Sequence, residues 1–184
     1  EVAEVACHAG LEALPEAPDV VAFCVSPART LEGFRRLPEI GARAAVIFGG
    51  GFGEAGKEGR DIQNEIVAIC REAGIALCGP NCMGVINPSA RSATYLQGGD
   101  PAVLAGNVGL ISQSGSVCIS LLADVSRFGF SLVASSGNEA VVTAADILDY
   151  MVDHEETEVI ACFTETVADP ERYVAALDRA ADAG

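Results

Sequence analysis

Basic residues are scarce in this chain. Eleven Lys and Arg stand against 26 Asp and Glu, a formal net charge of −15 over 184 residues. A nucleic-acid backbone or an anionic membrane needs a basic patch to hold it, so neither is expected as a partner. No apolar run approaches the ~18–20 residues of a membrane span, and the opening residues do not read as a secretory signal. Paired cysteine spacing is also missing. The seven cysteines, at 7, 24, 70, 78, 82, 118 and 162, form no CxxC. Several lie inside apolar runs such as VVAFCV and VIACF. An odd count in such runs fits free, buried thiols in a reducing cytoplasm. Cys78 and Cys82 are close in sequence, but no His or second Cys pair accompanies them, so no metal site is expected.

Histidine is almost absent. His8 lies in a turn-like CHAG and His154 among the acids of VDHEET. Both read as surface residues rather than as chemistry. A serine nucleophile elbow is missing too: it needs G-x-S-x-G, and Ser112 stands two residues before Ser114. The chain opens on EVAEVACHAG without methionine and stops at AADAG just after a helix-like segment, as a piece of a longer protein would.

Half of the residues are apolar, enough to bury a core. Short β-rich runs alternate with helix-length segments. Strands are expected at 19–25, 42–48, 75–79, 107–112, 130–136 and 158–165, and helices at 28–42, 57–74, 115–129, 143–153 and 169–183. Gly74 suits a helix C-cap, Thr143 and Asp169 suit N-caps, and Pro170 suits a first helical turn. Between the two blocks, 88–106 is rich in Pro, Gly and Ser and has no sustained period, which reads as a connector over 89–105. Near-continuous apolar strands alternating with amphipathic helices imply parallel sheets covered on both faces. The fold class is therefore α/β, with two doubly wound parallel-sheet units over 1–88 and 106–184. Ligands of such folds bind at the carboxyl ends of the strands.

Those strand exits carry the candidate chemistry. Residues 51–56, GFGEAG, match the dinucleotide fingerprint G-x-G-x-x-G. An NAD enzyme would also need an acid ending the next strand to hold the ribose, and IALCG ends instead in Gly79-Pro80. SQSGSV (112–117) joins a strand to a helix, and free N–H groups at a helix start hold phosphate or carboxylate well. Its serines equally suit an ordinary capped helix. In GPNCMGVINP (79–88), Gly79-Pro80 bends the chain and Asn81 offers an amide at a strand exit. TETVAD (164–169) sets Glu165 at the end of an apolar strand, where its carboxylate could accept from an imidazole N–H or stay solvated. SSGNEA (135–140) adds Asn138 and Glu139 after another strand.

GPNCMGVINP followed by GLISQSGSV, and then SSGNEAVVTAADILDYMVDHEETEVIACFTETVADPERY, resembles the NDP-forming acyl-CoA synthetases, relatives of the succinyl-CoA synthetase alpha subunit. The resemblance covers nearly the whole chain. It implies the latter part of a Rossmann-like CoA-binding domain, then most of a flavodoxin-like ligase domain. The implied reaction joins a carboxylic acid to CoA, with ATP going to ADP and phosphate, through an acyl phosphate and a phosphohistidine. By motif, Ser26, Pro27, Gly49, Gly50, Gly51, Asn81 and Cys82 would lie near CoA. The three glycines stand where the succinyl enzyme carries a Thr-Glu-Gly pattern, leaving a side-chain-free strand exit. Ser112, Ser114 and Gly115 would hold the phosphate, and Glu165 would bond the phosphohistidine's other nitrogen. The family's phosphorylated histidine and its ATP-grasp region, which binds ATP and Mg, would lie outside these residues. The 184 residues alone are thus expected not to turn over, and an ATP-grasp domain or subunit and an oligomeric assembly are the implied partners. An alternative is a CoA-sensing region, lacking the active histidine, fused to a protein acetyltransferase. An NAD-dependent oxidoreductase is the remaining alternative.

Overall fold

The computed structural model describes residues 5–97, 105–123, 127 and 129–184. The first unit contains β1 (Val20–Phe23), α1 (Pro27–Phe34), α2 (Leu37–Ile40), β2 (Ala44–Ile47), α3 (Lys57–Ala73) and β3 (Ala76–Cys78). Its three strands pair in parallel in the order β1-β2-β3. Apolar side chains at helical spacing on α3 put Ile66 and Cys70 into a core with Phe34, Leu37, Ile47, Phe52 and Leu77. The Phe23 and Phe34 rings stack at 4.8 Å within it. Gly74 ends α3 in the left-handed conformation (φ 67°), its N–H returning to the Cys70 carbonyl, as its C-cap reading requires.

The segment expected as one helix over 28–42 is two. Helix α1 ends at Phe34, a turn follows through Arg35 and Arg36, and Pro38 sits in the first turn of α2. Proline lacks the N–H that a continuing helix needs but is tolerated in a first turn.

The second unit contains β4 (Gly84–Asn87), β5 (Ser92–Tyr95), β6 (Ala105–Ser112), α4 (Gly115–Leu122), β7 (Phe130–Ser135), α5 (Ala144–Val152), β8 (Val159–Phe163) and α6 (Pro170–Ala183). The sheet order is β5-β4-β7-β6-β8. Strands β7, β6 and β8 are parallel, as the alternation implies, whereas β4 and β5 run antiparallel at the other side. The 89–105 run is thus not only a connector, since it supplies β5. Strand β5 is half polar and mostly exposed, and β4 pairs with β7, its Gly84 opposite Ser135. Pairing so distant in sequence leaves no local period to read. Residues 98–104, and residues 124–126 and 128 in the second half of the helix expected over 115–129, lie outside the described residues.

Strand β6 feeds both faces of this sheet. Ile111 joins Leu132, Leu148, Met151 and Ala176 under α5 and α6, while Leu110 joins Cys118, Phe130 and Val133 under α4. Every residue of β7 is buried. Double coverage is what the unbroken apolar composition of these strands demands.

Helix α5 opens with a capping box. The Thr143 hydroxyl and N–H donate to Asp146 Oδ2 at 2.7 and 2.8 Å, and the Asp146 N–H returns to the hydroxyl at 3.5 Å. Asp146 also meets Arg172 of α6 at 2.5 Å, so the cap ties the two helices together. Partial burial pushes the Asp146 carboxyl up. The Thr143 donors and the Arg172 guanidinium outweigh it and hold the carboxyl below its ordinary value. A depressed folded pKa adds stability that is complete above the unfolded value, roughly 4. That stability is lost as pH falls through the folded value. Asp146→Asn is therefore expected to cost about 1 kcal/mol at neutral pH and to flatten the decline of the urea midpoint below roughly pH 4. An acid limb as steep as that of the parent would count against this assignment.

Candidate functional site

The chain crosses from the first sheet to the second between β3 and β4, so residues 79–83, GPNCM, are the crossover itself. Asn81 sits at φ 58° and its N–H donates to the Gly49 carbonyl at 3.0 Å. Returning from β7, residues 138–142 run beside the crossover. Asn138 N–H donates to Pro80 O at 2.8 Å, Ala140 N–H to Gly79 O at 3.0 Å and Val142 N–H to Leu77 O at 3.1 Å. Met83 N–H donates to the Ser135 hydroxyl at 3.0 Å. The seam between the units is thus stitched largely backbone to backbone. Ala140 and Val141 pack on the first unit's core.

At the first unit's strand exits, Ser26, Pro27, Gly49, Gly50, Gly51 and Asn81 come together. Ser26 precedes α1 without a side-chain cap bond, and Pro27 opens that helix. A Cβ on Gly51 (φ 98°) would lie 3.1 Å from Pro27, and one on Gly50 would lie 3.4 Å from the Asn81 amide oxygen. Cys82 is buried beneath this group, its Sγ 3.9 Å from that of Cys78. The Cys78 thiol, donating toward Cys82, is pushed well above its ordinary range by that contact and by burial; the same contact holds the Cys82 thiol below its own.

The GFGEAG fingerprint behaves differently from a dinucleotide turn. Glu54, inside it, accepts from the N–H groups of Gly51 (2.6 Å) and Phe52 (3.2 Å), and its other oxygen accepts from Asn138 Nδ2 at 2.5 Å. Burial pushes the Glu54 carboxyl up, but these donors, Asn138 foremost, hold it below the ordinary value. An internal carboxylate therefore takes the donors a pyrophosphate would use, and the turn follows β2 rather than a first strand.

In the second unit, Ser112, Ser114 and Gly115 surround the start of α4. Ser112 is fully buried, its hydroxyl donating to the Ser114 carbonyl (2.8 Å) and accepting from the Ser114 N–H (3.1 Å). Ser114 is the N-cap residue, yet its side chain makes no capping bond and instead meets the Ser116 hydroxyl at 3.1 Å. The helix start therefore keeps N–H donors for an anion. Gly115 faces Met83 of the crossover, where a Cβ would lie 2.9 Å from Met83 Cγ. The two motifs, about 30 residues apart in sequence, thus touch.

Glu165 is exposed just beyond β8, with its N–H donating to Gln113 Oε1 at 2.8 Å. Gln113 escapes a residue-by-residue reading, and Glu139 reads only as a candidate after a strand, without a partner. Glu139 is a carboxylate only 8% exposed, bonded to the Ser136 hydroxyl at 2.7 Å and to Gln113 Nε2 at 2.9 Å. The only sequence signal for either is its place in a strand-exit loop. His154, expected at the surface, has a side chain 9% exposed, with Nδ1 3.0 Å from the Thr157 hydroxyl and Nε2 3.3 Å from Glu156. It packs on Tyr150 at the end of α5, away from these loops. Among the described residues, no cluster of three or more His, Cys, Asp or Glu could hold a metal ion, and no helix is long and apolar enough to cross a membrane.

Residues 1–88 match the CoA binding domain family, and residues 105–183 match the succinyl-CoA ligase like flavodoxin domain family. The chain belongs to the ADP-forming acyl-CoA synthetases, the succinyl-CoA-synthetase-like family. A trans-feruloyl-CoA synthase, FCS1, from an unidentified prokaryote is 35% identical over 93% of this chain and 25% of its own length. The alpha subunit of ADP-forming acetate–CoA ligase I of Pyrococcus furiosus is 35% identical over 86% of this chain and 35% of its own. The crystal structure of PH0766 from Pyrococcus horikoshii superposes with a TM-score of 0.89 at 29% identity, over 98% of this chain and 41% of that one. The ADP- and phosphate-bound acetyl-coenzyme A synthetase 1 of Candidatus Korarchaeum cryptofilum gives 0.89 at 28% identity, over 98% and 39%. The chain spans less than half the length of the relatives it matches.

Proposed function

We propose that this chain contributes the CoA-binding and phosphate-handling units of an acid–thiol ligase. The whole protein would join a carboxylic acid to CoA while ATP goes to ADP and phosphate, by way of an acyl phosphate and a phosphohistidine. The observation that carries this reading is the convergence of three loops at one seam: the crossover 79–83, the uncapped start of α4, and the Glu165 loop held to it by Gln113.

Each part has a physical task. Gly49, Gly50 and Gly51 let a nucleotide-bearing thiol lie against backbone, with Ser26, Pro27, Asn81 and Cys82 around it. The N–H groups behind Ser112, Ser114 and Gly115 offer positive potential to a phosphoryl group without a basic side chain. That matters in a chain of net charge −15. The Glu165 carboxylate accepts an imidazole N–H and so selects the tautomer whose other nitrogen takes the phosphoryl group. The phosphorylated histidine would come from a loop outside these residues, and ATP and Mg would be held by an ATP-grasp region or subunit. Similarity to the alpha subunits of two acetate–CoA ligases of Pyrococcus furiosus supports such a partner.

The test uses the complete protein. Incubation with γ-labelled ATP is expected to leave acid-labile label on a histidine with release of ADP, and acid plus CoA is expected to discharge that label as inorganic phosphate with formation of acyl-CoA. The related names, from acetate to feruloyl ligases, set the first acids to screen. Saturable CoA binding without label or ADP release for any acid would overturn the ligase reading in favour of CoA sensing.

A further inference from the structure

We propose that Gln113 and Glu139 form a positioning relay that sets where Glu165 stands relative to the start of α4. The proposal rests on the ligase reading above and adds to it two residues to which the resemblance gave no role.

A side-chain amide has two hydrogens to give and room for two to accept. Gln113 uses all four. Nε2 donates to Glu139 Oε1 at 2.9 Å and to the Thr166 carbonyl at 2.7 Å. Oε1 accepts from the Glu165 N–H at 2.8 Å and the Thr166 N–H at 2.9 Å. Reversing the amide would set donors against donors and acceptors against acceptors, so its partners fix its orientation. The Gln113 backbone N–H also donates to the Phe163 carbonyl at 3.1 Å. One residue, lying between Ser112 and Ser114, thus clasps the loop that carries Glu165.

Glu139 holds the clasp in turn. Its carboxylate is nearly buried, and its bonded partners are a hydroxyl and an amide rather than a cation. A buried charge with that surrounding is costly unless its hydrogen bonds are well made. Its backbone is held at φ 53°, in the turn that also meets the crossover through Asn138 and Ala140. Glu139 therefore refers the position of the Glu165 loop back to the CoA-side crossover. Both relay members act through Glu165 rather than on the reacting atoms.

Two measurements test this. The first needs no activity: amide hydrogen exchange at Glu165 and Thr166. Glu139→Gln, which keeps the shape but weakens the acceptor, is expected to speed exchange at both amides severalfold, and Gln113→Leu more than tenfold, with the core strands unchanged. Unchanged exchange at the two amides overturns the relay whatever the protein's reaction. The second is a double-mutant cycle in the complete ligase. Gln113→Leu is expected to lower kcat at least tenfold with the KM for CoA unchanged, and to add less than twofold in a Glu165→Gln background. Glu139→Gln should follow the same pattern with a smaller loss. Additive losses, or a loss confined to melting temperature, overturn the proposal. A complete protein that forms no ADP at all counts instead against the ligase reading, and the exchange result still decides the relay.

Discussion

If the proposed ligase reading holds, Glu165→Gln in the complete protein is expected to lower ADP-forming turnover by about 10² or more while leaving the fold intact. The side chain is exposed, and the bond that anchors its residue runs through the backbone N–H to Gln113, so the substitution removes charge without removing that support. Surface changes of this kind usually alter stability by less than about 0.5 kcal/mol. In the proposed mechanism an amide would still accept a hydrogen bond, but it would not stabilise the positive charge that an imidazole acquires when its other nitrogen takes the phosphoryl group. Losing a positioned acid–base partner typically costs about 10²–10⁴ in rate. The measurement is kcat together with the rate of histidine labelling from ATP. Both should fall, with the KM for CoA little changed, because the loops proposed to hold CoA lie across the seam. A variant labelled and discharged at the parent rate would remove Glu165 from the mechanism.

Gly137→Ala is expected to be strongly disruptive to the seam beside the site. Gly137 adopts φ 60°, and a Cβ there would stand 2.3 Å from the Pro80 carbonyl and 2.5 Å from that of Asn81. Both obstacles are backbone, so neither can swing aside. Left-handed strain and forced packing together imply a loss of about 3 kcal/mol. The clash falls on the contact that brings the SSGNEA turn against the crossover, where Asn138 and Ala140 bond Pro80 and Gly79. CoA affinity should therefore fall along with the urea midpoint. Parent-like stability and CoA binding in this variant would mean that the close approach is not required. Gly56, also at positive φ but with nothing within 4 Å of its would-be Cβ, serves as the control, since its alanine variant carries the backbone strain alone.

The elements set by local chemistry could be read one at a time. Thr143, Asp169 and Pro170 begin helices as their side chains and ring geometry dictate, and Gly74 ends one. The two-block alternation of apolar runs and amphipathic segments carried the α/β class, because a strand buried on both faces has no polar alternation. Resemblance in the GPNCMG and SQSGS motifs carried the family. The misread segments share a different cause. Strand β5 looked like a connector because its partner β4 completes a sheet through β7, far along the chain. His154 looked exposed because its neighbours in sequence are acids, whereas its ring is buried through Tyr150 and Thr157.

By itself the sequence determined the α/β class and the helix caps at Gly74, Thr143 and Asp169, since each depends on residues within a turn or two of one another. Tertiary structure alone decided that GPNCM is the crossing between two sheets and that Asn138 donates to the Glu54 carboxylate of the glycine turn. It alone decided that Gln113 joins Glu139 to the Glu165 loop. The physical reason is that a hydrogen bond is set by distance and direction in space, and those partners lie 26 and 52 positions apart in the chain.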